Sequence, residues 1–118
     1  MNKLVTLSLL AVLGACSKSE EEKVPDGAEN YALYCAGCHD PGPGHPATML
    51  LEEMGRPVPS LIGRKDLEFD YLHSVVRQGL IEMPPFRVTE LTDAQVREIY
   101  DYIITAQPPK QEPALPPS

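Results

Sequence analysis

The chain has no tryptophan and only two phenylalanines among its 118 residues. With so few large apolar rings, short helices have little to pack around, and a domain of this size built from them alone would be marginal. Long hydrophobic runs are missing too. The longest, Leu4 to Leu13, is about half of the roughly 20 residues that a membrane-spanning helix needs. Basic residues are scarce: ten Lys and Arg stand against seventeen Asp and Glu, for a net charge of −7. That balance excludes a nucleic-acid binder and suits an encounter with a basic partner surface. No strand-like alternation of useful length is present, which leaves an all-α domain. Cysteine is rare, and its count of three is odd, so one thiol is left over whatever the other two do.

Two of those cysteines carry the chemistry. Cys35-Ala36-Gly37-Cys38-His39 has the spacing of a c-type haem attachment site. Each thiol S–H adds across a vinyl double bond and leaves a thioether. The adjacent His39 then lies under the macrocycle, where its imidazole reaches the iron as proximal ligand. A covalent haem c also supplies the large apolar centre that the composition lacks.

A second axial ligand is sought among Met49, Met54, Met83, His45 and His73. Met49 and Met54 follow His39 too closely to come round to the opposite face. His45 sits in a Pro-Gly loop, again too near, and His73 lies on the flank of a helix. Met83 is 44 residues beyond His39 and is followed by Pro84-Pro85. Prolines stiffen an extended loop and stop a helix, and a stiff loop keeps a weak thioether on iron. Met83 is therefore the expected distal ligand, and Met/His ligation raises the potential relative to His/His. Three alternatives stand beside this reading. The sixth iron site could be open to a small ligand. Cys35, Cys38 and His39 with His45 or His73 could hold zinc, although adjacent Cys38 and His39 are awkward as two ligands of one tetrahedral ion. Cys35 and Cys38 could be a redox dithiol, although the usual β-α-β surroundings are missing.

The termini read as separate segments. Met1 to Ala15 has a short charged start and an apolar run, and Leu13-Gly14-Ala15-Cys16 resembles a bacterial lipobox, cut just before a cysteine that is then acylated. Lipidation of Cys16 would account for the odd thiol. A plain signal peptide cut near Ala15, or a buried core helix, are the other readings. Residues 16–25 are polar and charged and read as a tether. Five of the last eleven residues, 108–118, are proline, so that stretch is neither helix nor central strand. The folded unit is thus 26–107. The expected location is the periplasmic side of a membrane, anchored by Cys16. Ser17 directly after it resembles outer-membrane lipoproteins more than inner-membrane ones.

Three main helices are expected in this unit. The first runs over 26–36. The second, 66–78, places Phe69, Leu72, Val75, Val76 and Gly79 at 3–4 spacing. The third, 93–106, has Thr92 as N-cap, Gln95 completing a capping box, and a stripe of Val96, Ile99, Tyr100 and Ile103. A shorter helix over 47–54 is possible in the Pro- and Gly-rich stretch between the first two.

Across about residues 26–105 the sequence resembles the class I cytochromes c. Gly27-x-x-x-Tyr31 before the Cys-x-x-Cys-His motif is similar to that family's first helix. Pro59-Ser60-Leu61-Ile62-Gly63-Arg64 is similar to its Pro-x-Leu-x-Gly-Arg segment. Val76-Arg77-Gln78-Gly79 with Met83-Pro84-x-Phe86 is similar to its axial-methionine loop, and Ile99 to Ile103 to its last helix. The resemblance implies that three main helices pack around a covalent haem, and that Gly27 and Tyr31 cross the last helix near Tyr102. It implies that the Pro59 carbonyl accepts the Nδ1 proton of His39, with Pro43 a competitor, and that Leu61 packs on the haem. It implies one-electron transfer rather than catalysis by the chain itself. The partner would be a flavoprotein or quinoprotein dehydrogenase, or a downstream cytochrome or oxidase. More narrowly, Leu72 to Phe86 resembles the cytochrome subunits of flavocytochromes that oxidise 4-alkylphenols.

Overall fold

The computed structural model describes residues 26–108. The segments read as leader, tether and proline-rich tail, Cys16 included, lie outside the described residues, Pro108 apart.

Helix α1, Gly27–Tyr34, starts where the Asp26 carboxylate accepts the N–H groups of Ala28 and Glu29, both at 3.1 Å. This satisfies two donors that have no partner within the helix. The helix was expected to run on to residue 36, but it breaks at Cys35 and restarts as α2, Ala36–His39. Cys35 belongs to both turns. Its N–H donates to Tyr31 O (2.8 Å) and its carbonyl accepts from His39 N (3.0 Å). Helix α3, Pro46–Glu53, opens on a proline, whose missing N–H costs nothing at that position. Helix α4, Phe69–Gln78, begins three residues later than the periodicity suggested. Arg64 binds Asp66 through two hydrogen bonds (2.7 and 2.8 Å) and keeps that stretch in turns. Helix α5, Asp93–Thr105, has the full capping box: Gln95 N–H donates to Thr92 Oγ1 (3.3 Å), and Thr92 N–H to Gln95 Oε1 (2.9 Å).

The first and last helices cross closely. A Cβ on Gly27 would overlap the Glu98 carbonyl and lie 3.2 Å from Tyr102 Cβ, so only glycine fits. The rings of Tyr31 and Tyr102 pack 5.4 Å apart at the same crossing. The buried Asn30 accepts from Gln95 Nε2 (3.3 Å), which ties the α5 cap to α1. Leu72 and Val76 from α4 meet Val96, Ile99 and Ile103 from α5, with Tyr31 and Leu91 closing one core. The Tyr100 hydroxyl donates to Leu67 O (3.0 Å) across that packing. The domain is all-α, as expected. Among the described residues no helix is long and apolar enough to cross a membrane.

Candidate functional site

The attachment motif lies on the short α2. Cys35 is half-buried, Cys38 is exposed, and neither is in a disulfide. Burial pushes the Cys35 thiol up to about 12, helped by the nearby Asp40 carboxylate. The attacking thiol of a redox dithiol is shifted the other way, so the dithiol reading loses its support. Asp40 accepts the Tyr31 hydroxyl (2.9 Å). Burial, and then that bond, raise the phenol well above its ordinary range, so it remains a donor. His45 stands before α3 with Nδ1 3.2 Å from Gly37 O, so the loop after the motif folds back onto it.

His39 is half-buried, and desolvation lowers its proton affinity. It is thus neutral at neutral pH, the form that ligates iron. Its Nδ1 is buried and makes no hydrogen bond. The bond to the Pro59 carbonyl implied by the resemblance is not formed here. The segment is nonetheless laid alongside through the main chain, where Leu61 N–H donates to His39 O (3.3 Å). Pro59 is half-buried next to that tie, whereas Pro43 is exposed. An unpaired buried imidazole nitrogen costs roughly 1–3 kcal/mol.

Met83 lies on the loop that leaves α4. Leu80 and Met83 exchange two backbone hydrogen bonds, 3.1 and 2.9 Å, which closes a tight turn with Ile81 in the left-handed region (φ 55°). Gly79, at φ 75°, makes the turn possible, because a Cβ there would come within 2.6 Å of Met83 O and 3.1 Å of Pro85 N. Cys35, Leu61, Met83 and Phe86 all pack, partly buried, against the same core cluster. Two thiols, a neutral imidazole and a thioether, of which Cys35 and Met83 pack on one apolar core, are a donor set that fits a covalent haem. Of the other axial candidates, His45 stays beside the motif at the Gly37 carbonyl. Met49 and Met54 are exposed on α3 or at its end, and His73 is bound to Asp93 (2.8 Å). Among the described residues no three His, Cys, Asp or Glu side chains gather into a metal cage, so the zinc reading gains nothing.

One group had a motif but no role in the sequence reading, for Arg77 stands in the Val76-Arg77-Gln78-Gly79 stretch of the axial-methionine resemblance. Arg77 donates to the Phe86 carbonyl (3.1 Å) and to Asp93. The Arg77 hydrogen bonds, and next that of His73, hold the Asp93 carboxyl below the usual carboxylate range. Nothing in the spacing of residues 77, 86 and 93 marks this, because the contact depends on the path of the loop between them.

A family model described as cytochrome c oxidase, cbb3-type, subunit III matches residues 22–103. Two solved structures of p-cresol methylhydroxylase are similar to the chain, each at 27% identity and covering 70% of it. The one with substrate bound is covered over 93% of its matched chain with a TM-score of 0.52, and the one at 2.5 Å resolution over 94% with a TM-score of 0.53. No curated protein sequence matches significantly.

Proposed function

Since the chain belongs to the cytochrome c family described as cytochrome c oxidase, cbb3-type, subunit III, we propose that it is the one-electron acceptor of a flavin-dependent oxidoreductase, with Cys35, Cys38, His39 and Met83 holding its haem. The chain is an electron-carrier cytochrome with covalently bound haem c. The likeness to p-cresol methylhydroxylase carries the choice of partner, since it spans nearly all of the matched chain. The resemblance of Leu72 to Phe86 to the cytochrome subunits of 4-alkylphenol-oxidising flavocytochromes is part of that likeness.

When bound, the haem supplies an iron that accepts and returns one electron. The rest is the work of the chain. Cys35 and Cys38 fix the group to the α1–α2 junction. His39, kept neutral by burial, offers a lone pair with little competition from protons at neutral pH. Gly79 and the Leu80–Met83 turn present a thioether from a loop that prolines keep extended. With His39 and Met83 both holding the iron, no place on it would be left for a substrate, so the chain would pass electrons and a partner would perform the chemistry. The proposal extends to location. Cleavage before Cys16 and its acylation would leave the domain on the periplasmic side of a membrane, by preference the outer one.

Stopped-flow reduction by the co-purified flavoprotein tests the partnership. The expected result is a first-order reduction, independent of protein concentration and little changed by salt, as for electron transfer within a complex. A second-order rate that falls steeply with ionic strength would show instead a free carrier steered to its donor by charge.

A further inference from the structure

We propose that Arg77 and Asp93 clamp the distal loop to the body of the protein, which makes Arg77 the positioning residue for Met83. This rests on the reading of Met83 as distal ligand. The bonds between Leu80 and Met83 shape the turn, but they travel with it and attach it to nothing else. The attachment is at Phe86, three residues on. Its N–H donates to the Val76 carbonyl (2.8 Å), in the last turn of α4, where carbonyls lack helical partners. Its carbonyl accepts from Arg77 Nη1 (3.1 Å). Its ring meets Tyr34 edge-on at 5.9 Å, and Tyr34 directly precedes Cys35. The loop is therefore sewn down at one residue, and one of the stitches is a charged donor.

Arg77 is fixed in turn. Its Nε donates to Asp93 Oδ1 (3.2 Å), and Nη2 donates to the same oxygen (2.5 Å). His73, one turn earlier on α4, donates to that oxygen as well (2.8 Å). Asp93 opens α5 directly behind the capping box, so the far end of the clamp stands on the core. The Arg77 side chain is only 17% exposed, which shields its bond to the carbonyl from water. The shape of the group matters. A guanidinium reaches a carboxylate along one edge and a carbonyl from another corner, whereas an ammonium is a single point of charge. Among the described residues, Arg77 joins α4, α5 and the end of the Met83 loop in one side chain.

The test compares ferric holoproteins by how fast free imidazole takes the sixth position, followed at the weak red-edge charge-transfer band of an Fe–S(Met) bond. Imidazole enters only when Met83 leaves, so the rate reads how easily the loop opens. Arg77→Gln should take up imidazole roughly tenfold faster than the wild type, equivalent to about 1.4 kcal/mol, and should keep the band when imidazole is absent. Asp93→Asn should be faster by a few-fold, and Arg77→Lys should fall between wild type and Arg77→Gln. Rates equal to wild type in both Arg77→Gln and Asp93→Asn overturn the clamp and leave the Met83 reading intact. A band that survives Met83→Ala overturns that reading itself. If Arg77→Gln yields no folded holoprotein, Asp93→Asn decides, because its side chain is at the surface and the amide keeps its shape; unchanged uptake there overturns the clamp.

Discussion

A single methyl group separates Gly27 from a residue for which the α1–α5 crossing has no room. On alanine that methyl would occupy the space of the Glu98 carbonyl, a backbone atom that cannot swing aside. Gly27→Ala must push α1 off α5, and overpacking of this kind costs about 2 kcal/mol. Urea unfolding of the holoprotein should show that loss while the haem spectrum stays as in the wild type. Gly79 is the opposite case. A Cβ there meets Met83 O and Pro85 N, so its effect falls on the loop. Both glycines belong to stretches that the sequence singled out. The Gly27–Tyr31–Tyr102 crossing is found as the family resemblance implied it. The His39–Pro59 bond is not, because the two segments meet through Leu61 N–H and the His39 carbonyl rather than through the ring.

At the scale of elements, α4 and α5 were legible because their apolar residues recur at helical spacing and Thr92 and Gln95 announce a start. The break at Cys35 was not legible. The run Ala32 to Gly37 holds no charged residue, so it has no apolar–polar alternation to lose phase, and the break shows only in where two backbone hydrogen bonds go. The start of α4 was misjudged for a related reason, since a local Arg64–Asp66 pair outweighs the pattern beyond it. That pair and the Arg77–Asp93 pair each hold a carboxyl below its ordinary range, mainly through hydrogen bonds from the arginine. A carboxyl whose folded pKa is depressed adds stability that is fully present above its unfolded value and is lost as pH falls through the folded one. The urea midpoint of the holoprotein should therefore drop between about pH 5 and pH 2. Both carboxylates are at the surface, so each share is modest and screened by salt. Asp93→Asn should make the drop shallower. An acid limb identical to wild type in that variant would show that Asp93 contributes nothing to it.

For the whole molecule, the proposed anchor at Cys16 can be tested directly. One acyl chain gives marginal membrane binding, whereas two or more give a stable anchor. Wild-type protein is expected in the membrane fraction, and Cys16→Ser in the soluble fraction with its haem intact. A wild type that is soluble and begins with an unmodified residue would remove the anchor from the proposal.

The crossing of α1 and α5 has one more consequence, in time rather than in space. Asn30 and Gln95, which tie the two helices together, are 65 residues apart. Contacts so distant in sequence form late, because the loop between them must close first. A chain made from its N-terminus presents Cys35 and Cys38 well before the helix that completes their core exists. The burial that raises the Cys35 thiol to about 12 comes only when Val96, Ile99 and Ile103 arrive. Until then the Cys35 sulfur is in water at its ordinary acidity, and that interval is when it is most open to reaction.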